Sequence, residues 1–265
     1  MTLFPSDAPV AARAGVGAPR VREVKPQSFP DIAQQLIDVG RRFDRRGWVL
    51  GTSGNFSSVI THQPLRIAIT PSAAFKGELR SDQIVEIDER GAPVGAGRPS
   101  AEALVHLEIV RSQGTGAVLH THSLWSTVLS DLHANEGGLL IEGYEMLKGL
   151  EGVHTHDHRE WVPIIENDQD MRRLGRMISD LLDRHPSAHA ILIRRHGLYT
   201  WGADLAEAVR HVEILEFLLE AVGQTMAMRQ AGVPNAAAAL GSEAGAPNAP
   251  AALGWKAMER AAIES

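Results

Sequence analysis

Hydrophobic residues recur three or four positions apart in several stretches of the chain, which is the spacing of one face of an α-helix. In the first such stretch Ile32, Leu36 and Phe43 follow this spacing. Later stretches are preceded by Ser100 and Ser123, whose hydroxyl groups are suited to cap a helix. The predicted helices cover residues 30–46, 101–112, 124–132, 168–183 and 204–222.

Other segments are short and apolar or alternate between apolar and polar residues, as β-strands do. These predicted strands cover residues 66–70, 83–87, 117–122 and 188–195. Helices and strands interleave without a strict βαβ rhythm, and we expect 66–70 and 83–87 to be joined by a short turn. The pattern therefore favours an α/β protein with a mixed or antiparallel sheet covered by helices over a doubly wound parallel sheet.

Both ends of the chain lack this periodicity. Residues 1–27 are rich in Ala, Pro, Gly and Arg, and we interpret them as a flexible leader. Residues 231–265 form a tail rich in Ala, Pro and Gly, and its last segment, GWKAMERAAIES, predicts a short terminal helix. The body between them, residues 28–230, has the size of one domain.

Composition narrows the possible chemistry. The 265 residues include 12 histidines and no cysteine, so disulfides, thiolate metal sites and cysteine nucleophiles are excluded. The net charge of −6 argues against a nucleic-acid or anionic-membrane partner. The sequence contains no 18-residue apolar run and no apolar signal-peptide core, so we expect a cytoplasmic protein.

Three histidines lie at the ends of predicted strands. His120 and His122 are two residues apart at the end of 117–122, so both imidazoles can point to the same side. His196 follows the strand 188–195 and precedes Gly197. Three such ligands could form an open catalytic zinc site, although each could equally be a strand-end histidine with an ordinary hydrogen bond.

A denser histidine cluster, His154, His156 and His158, follows Gly152. No apolar run precedes it, and it is surrounded by charged residues. A mobile polar loop is a poor frame for a metal site, because packed neighbours must hold the ligands in place. We therefore interpret this cluster as a surface feature.

Two carboxylates and two small-residue segments could act on a substrate. Glu102 lies in the first turn of the helix at 101–112, and Glu145 lies in GYEMLKG; either could move a proton beside a zinc-bound carbonyl or be a solvated acid. The segment GTSGNFS at 51–57 combines hydroxyls, an amide and two glycines, and TPS at 70–72 is followed by Lys76. Both segments could cradle an anion or be ordinary turns, and neither matches the nucleotide-binding glycine motifs.

Taken in order, several segments resemble the class II aldolase and adducin N-terminal superfamily. These segments are GTSGNFSS, ITPSAAFKGEL, PSAEALVHLEIV, AVLHTHS and IRRHGLYTWG, spread over residues 30–225. EGYEMLKGL, VPIIENDQD and RRHGLYTWG further resemble a dehydratase branch of the superfamily. The resemblance implies a three-layer α/β fold with a central mixed, mostly antiparallel sheet, one Zn²⁺ per subunit and a homotetramer with sites at subunit interfaces. The implied reaction is dehydration of the sugar phosphate 5-methylthioribulose 1-phosphate to a 2,3-diketone in methionine salvage.

The resemblance also implies roles for single residues. His120 and His122 match paired zinc ligands and His196 matches the third, whereas Glu145 matches the catalytic acid/base of the dehydratases. Glu102 matches the general base of the aldolases, although some dehydratases carry a different residue there. The positions matching phosphate-binding segments are Ser53, Gly54, Asn55, Thr70, Ser72 and Ser100.

One departure from the family pattern is visible, and two other functions remain open. The usual TPSG is here TPSA, and Ala73 tolerates a positive φ poorly, which puts the geometry of this anion cradle in question. Another superfamily aldolase or 4-epimerase would share the zinc and phosphate sites. A non-enzymatic scaffold of the adducin kind is the other alternative, and the three retained histidines count against it.

Overall fold

A computed structural model describes residues 27–232, and within them the chain forms one eight-stranded sheet flanked by helices. The helices are α1 (Phe29–Arg45), α2 (Ala103–Gln113), α3 (Leu124–Leu132), α4 (Met171–Arg184) and α5 (Leu205–Gln230). The strands are β1 (Asn55–His62), β2 (Leu65–Ile69), β3 (Val85–Asp88), β4 (Ala117–Thr121), β5 (Gly138–Glu142), β6 (Arg159–Ile165), β7 (Ala190–Ile193) and β8 (Gly197–Gly202).

The strand order is β3-β2-β1-β4-β8-β7-β6-β5, and every neighbouring pair is antiparallel except β6 with β7. Helices cover both faces of this sheet. On one face α1 and α5 pack on β1 and β4, and on the other α2 and α4 pack on β4, β7 and β8. The three layers and the mixed, mostly antiparallel sheet confirm the predicted fold class.

The inner faces of these layers are fully buried. Leu36 and Phe43 of α1 contact the same cluster as Phe56 of β1, Leu119 of β4 and Val212 of α5, and all five are 0% exposed. Each such side chain contributes about 1.5–3 kcal/mol of burial free energy. Neighbouring residues on β4 alternate between the two faces, so Val118 packs instead against the α2 and α4 layer.

The predicted helices are confirmed with ends shifted by up to three residues, except that α5 continues eight residues beyond the predicted end at 222. Ser123 caps α3 by accepting the Ser126 N–H at 3.1 Å. The predicted cap at Ser100 is wrong in position, because α2 begins at Ala103. A turn separates Ser100 from the helix, and its hydroxyl accepts the Glu102 N–H at 3.2 Å.

The strand predictions are confirmed in part. β2 and β3 pair antiparallel as expected, but the predicted short turn between them is wrong, because residues 70–84 contain two 3₁₀ turns and the buried side chain of Lys76. The strand predicted at 188–195 is shorter, since its last residues turn before β8. Strands β1, β5, β6 and β8 were not predicted.

The chain divides into two units, Met1–Val222 and Gly223–Ser265. Every site residue discussed below belongs to the first unit. The predicted leader lies almost entirely outside the described residues, as does the tail with its terminal helix, and the domain boundaries remain a prediction. Within the described residues, no helix combines the length and the apolar character needed to cross a membrane.

Candidate active site

The pairing of β4 with β8 brings the three predicted histidines together. His120 lies on β4, His122 follows the strand, and His196 lies in the turn that leads into β8. Thr121 pairs with Leu198 in the sheet, so the turn before β8 lies beside the chain that leaves β4. This approach requires glycine at 197, because a Cβ there would collide with the carbonyl oxygen of Thr121.

The imidazole nitrogens of the three histidines converge. His120 Nε2 lies 2.7 Å from His122 Nε2 and 3.3 Å from His196 Nε2. Tetrahedral Zn–N bonds of about 2.0–2.1 Å place two ligand nitrogens about 3.3 Å apart. The distance between His120 and His196 matches this value, whereas the distance between His120 and His122 is shorter. These three histidines could therefore hold a metal ion.

The surroundings keep the three imidazoles neutral and orient His120. Its Nδ1–H donates to the Leu198 carbonyl at 2.9 Å, which leaves the Nε2 lone pair pointing to the centre, and its ring stacks on Tyr199 at 3.9 Å. Burial lowers the pKa of His120 and His196 below the ordinary value, and that of His122 to about 4. A neutral imidazole is the form that binds metals.

Glu102 faces this histidine cluster. Its Oε2 lies 3.4 Å from His120 Nε2, and its Oε1 lies 3.4 Å from His196 Nε2. The side-chain amide of Asn55 donates to Glu102 Oε2 at 2.6 Å. A carboxylate within reach of the metal centre but already hydrogen-bonded on one side is suited to accept a proton from a bound substrate.

A buried histidine that the sequence analysis did not identify holds Asn55 in place. His106 lies one helical turn after Glu102, its Nε2–H donates to Asn55 Oδ1, and its Nδ1 accepts the Ser57 hydroxyl at 2.7 Å. Burial lowers the pKa of His106 to about 4, so the ring is neutral and can make both bonds. The four-residue spacing from Glu102 was the available signal, because such residues share a helix face.

The two small-residue segments meet at Lys76. The Lys76 ammonium group donates to the Thr52 carbonyl at 3.0 Å and to the Ala74 carbonyl at 2.8 Å, which joins both predicted cradles. Its side chain is 1% exposed, and burial lowers its pKa to about 8 against the opposing charge of Glu102. Gly54, at φ +69°, lets the first cradle approach β4 closely, because a Cβ there would lie 2.8 Å from the His120 carbonyl oxygen.

A cavity of about 390 Å³ joins the cradles to the histidines. Its lining includes nine of the predicted site residues, namely Ser53, Gly54, Asn55, Ser72, Lys76, Ser100, Glu102, His122 and His196. Asn167, Gln169 and Met171 also line it and were not predicted as site residues, although Asn167 and Gln169 belong to the segment ENDQD that carried the resemblance. One cavity therefore contains a metal-ligand cluster, a carboxylate and a buried ammonium group.

Three predicted residues lie outside this lining: His120, which is fully buried within the histidine cluster, Thr70 and Glu145. Thr70 is fully buried and its hydroxyl accepts the Phe56 N–H at 3.1 Å, so it connects β1 with the chain after β2. Glu145 lies on the 3₁₀ turn Glu145–Gly149, where its side chain is 71% exposed and pairs with Lys148 at 2.5 Å. That hydrogen bond lowers the pKa of Glu145. Within one chain, the structure brings Glu102 and not Glu145 to the histidines.

The alanine that departs from the family pattern keeps the left-handed backbone of a glycine. Ala73 has φ +56°, a region that is unfavourable for a residue with a Cβ.

The first-cradle residue Ser53 directs its hydroxyl to the Leu50 carbonyl at 2.7 Å. In the loop set aside above, His154 and His156 are exposed, whereas His158 is half-buried against Glu160.

Comparison with known proteins identifies the family of this chain. Residues 34–222 match the family described as Class II Aldolase and Adducin N-terminal domain. Methylthioribulose-1-phosphate dehydratase from Methylococcus capsulatus is 47% identical over 193 residues, covering 72% of this chain and 93% of the relative. The protein of the same name from Sorangium cellulosum is 42% identical, covering 76% of this chain and 95% of the relative.

The fold also matches solved structures. L-fuculose-1-phosphate aldolase from Thermus thermophilus superimposes with a TM-score of 0.62 at 21% identity, covering 77% of this chain and 99% of the aldolase. At that identity the likeness concerns the fold alone. The sequence match over nearly the whole domain and the shared fold lead to one conclusion: the chain belongs to the class II aldolase and adducin N-terminal domain family.

Proposed function

We propose that this protein is a zinc-dependent, cytoplasmic lyase of methionine salvage that removes water from 5-methylthioribulose 1-phosphate and yields 2,3-diketo-5-methylthiopentyl 1-phosphate. The observation that carries the proposal is one cavity that is lined by Glu102, Lys76 and two histidines, with the buried His120 in contact with those histidines. The relatives named methylthioribulose-1-phosphate dehydratase, at 42–47% identity, support the choice of substrate.

The three histidines are the proposed ligands of one Zn²⁺ per chain. Their donor set, spacing and neutral state suit zinc, and His120 carries the backbone hydrogen bond that typically orients a metal-bound imidazole. Bound zinc would supply Lewis-acid polarisation of the substrate carbonyl, which makes the neighbouring C–H more acidic.

Glu102 is the proposed base. The substrate is a ketose with its carbonyl at C2 and hydroxyls at C3 and C4. Glu102 accepts the C3 proton, the C4 hydroxyl leaves with a proton as water, and the resulting C3 enol gains a proton at C4 to give the 2,3-diketone. Asn55 and His106 hold the carboxylate at the histidines during this transfer.

The two cradles are the proposed phosphate site. The Lys76 ammonium group lies between them, and the hydroxyls of Ser53, Ser72 and Ser100 line the same cavity beside Gly54. Binding the phosphate there would fix the distance from the phosphate to the reacting carbons. Thr70 acts indirectly in this scheme, through the strand that it holds.

Glu145 remains the proposed acid/base partner of Glu102. Because its side chain is exposed within one chain, this role requires assembly of several copies or a movement of residues 145–149. We propose a homotetramer, as the resemblance to the family implies.

Mixed assemblies test where Glu145 acts. Two inactive variants, Glu145→Gln and His120→Ala, are unfolded together and refolded as mixed oligomers. If Glu145 serves a neighbouring chain, some sites in the mixture combine intact histidines with an intact Glu145, and activity returns. If activity stays absent although mixed oligomers form, Glu145 does not act across the subunit interface.

The activity is tested by incubating purified protein with 5-methylthioribulose 1-phosphate and following the absorbance of the diketone. Zinc is measured in the same preparation, and we expect His120→Ala to hold one zinc ion fewer per chain than the wild type and to have no turnover. Cleavage into two fragments would indicate an aldolase, and an isomer of unchanged mass would indicate an epimerase. A folded protein without metal or turnover would favour a scaffold.

A further inference from the structure

A second cluster of side chains that can bind a metal lies at the opposite end of β7 from the candidate active site. His158 directly precedes β6, Glu160 is the second residue of that strand, and His189 directly precedes β7. The two strands are parallel neighbours, with Ile164 paired to Leu192, so their first residues meet at one edge. His196 follows the other end of β7, and the strand alone separates the two clusters by about 13 Å.

The three side chains share one point of contact. Glu160 Oε2 lies 2.8 Å from His158 Nε2 and 3.0 Å from His189 Nδ1, and its other oxygen accepts the His189 backbone N–H at 3.2 Å. Glu160 is 2% exposed, although a buried carboxylate is costly without compensation. One nitrogen of each histidine and one carboxylate oxygen therefore converge within the range of a shared ion.

His189 is oriented like a metal ligand. Its Nε2–H donates to the Glu151 carbonyl at 2.9 Å, which can leave the Nδ1 lone pair directed at the cluster. His120 in the first site uses the same arrangement, with its outer nitrogen bonded to the Leu198 carbonyl at 2.9 Å. A backbone carbonyl on the outer nitrogen is a usual partner of metal-binding histidines.

The cluster opens into a cavity of about 460 Å³. His211 lines this cavity but is not available as a ligand, because its Nδ1–H donates to the Trp201 carbonyl at 2.7 Å and its Nε2 accepts the Glu151 N–H at 3.1 Å. The remaining coordination positions of an ion at the cluster would face the open cavity, where water can enter.

We propose that His158, Glu160 and His189 form a second site for a divalent transition metal, with zinc the best match to two imidazoles and one carboxylate. The ion would join the loop before β6 to β7 and, through His189, to the backbone of Glu151. A ligand that binds only the folded chain stabilises it, so a metal ion here would stabilise the packing of the first residues of β6 and β7.

Protons are the competitor for this site. An imidazole binds a metal ion only through a deprotonated nitrogen, so protons compete with the metal for His158 and His189. Metal must displace these protons, so we expect binding to weaken as the pH falls.

Zinc binding to the full-length His120→Ala variant tests the second site alone, since this variant lacks a ligand of the first site. Equilibrium dialysis is expected to give one zinc per chain, and added zinc should raise the melting temperature. Adding His158→Ala should abolish both effects, whereas His156→Ala is the matched control and should change neither, because His156 is 57% exposed on the same loop.

Glu160→Gln, added to the His120→Ala variant, gives an independent check, because glutamine keeps the shape of glutamate but loses its charge. This second substitution should also abolish zinc binding. Wild-type protein should bind two zinc ions per chain by the same measurement. The proposal is overturned if His120→Ala binds no zinc. It is also overturned if zinc binding persists after His158→Ala and Glu160→Gln are each added to that variant. These outcomes do not depend on turnover, so they are distinct from failure of the proposed dehydration.

Discussion

Replacing Lys76 with methionine tests how the cavity recognises the phosphate group. The folded chain lowers the pKa of Lys76 from 10.5 to about 8, mainly by burial. At about 1.4 kcal/mol per tenfold change in proton affinity, the charged side chain costs about 3 kcal/mol in the folded protein at neutral pH. Methionine has a similar length and carries no charge.

The sign of the stability change with pH follows from this lowered pKa. Between about pH 8 and 10.5 the unfolded chain holds the Lys76 proton and the folded chain does not. The wild-type free energy of unfolding should therefore rise with pH in this window by up to about 3 kcal/mol relative to Lys76→Met. Urea denaturation at pH 7 and pH 10 measures the difference.

Catalysis should show the opposite trend. A charged hydrogen bond to phosphate is worth about 1.5–3 kcal/mol, so Lys76→Met should raise KM about 10–100-fold at pH 7, with zinc content unchanged. In the wild type kcat/KM should fall about tenfold per pH unit above about 8, and this limb should be absent in the variant. Glu78→Gln, on an exposed residue of the same turn, is the control. An unchanged KM, or the same alkaline limb in both proteins, would refute the reasoning.

Three further substitutions test other parts of the site. Ala73→Gly should stabilise the protein by about 0.5–1 kcal/mol in urea denaturation, because relief of the left-handed strain exceeds the added freedom of the unfolded chain; a loss of stability would contradict this. Glu102→Gln should lower kcat about 10²–10⁴-fold with zinc retained, and unimpaired turnover would remove Glu102 as the base. Asn55→Ala should lower kcat about tenfold, because Glu102 loses the hydrogen bond that holds it; an equal loss of bound zinc would indicate a structural effect instead.

The sequence predicted the three histidines that converge in the structure, and their role as metal ligands remains a proposal. His120 and His122 share a face near the end of a buried strand, and this period-two spacing is visible in the sequence. His196 could be added because a glycine follows it at the end of another apolar strand. The pairing of β4 with β8, which makes the three converge, is a long-range contact that no local pattern encodes.

The polar strands and the supporting residues were harder to predict. β1 begins with Asn55 and contains two serines, so its sequence matches a turn as well as it matches a strand. The role of His106 depends on the amide of Asn55 across the site, 51 residues away in sequence. Ala73 shows a different limit, because the backbone keeps a conformation that the residue itself disfavours.

The densest histidine cluster in the sequence, at residues 154–158, is only partly the surface feature that was predicted. His154 and His156 are exposed, as a polar loop predicts. His158 instead contacts Glu160, which also contacts His189. His189 lies just before β7, 31 residues after His158 in the chain. The number of histidines in a short segment therefore does not predict which of them lie beside other side chains that can bind a metal.

The most direct test of the central claim is the identity of the product formed by zinc-loaded protein from 5-methylthioribulose 1-phosphate in D₂O. Mass spectrometry and NMR would show which bonds have changed. We expect a single product that lacks one water, with carbonyls at C2 and C3 and a deuterium added at C4, and no product from His120→Ala. Fragments of the carbon chain, or an epimer that retains both hydroxyls, would contradict the claim.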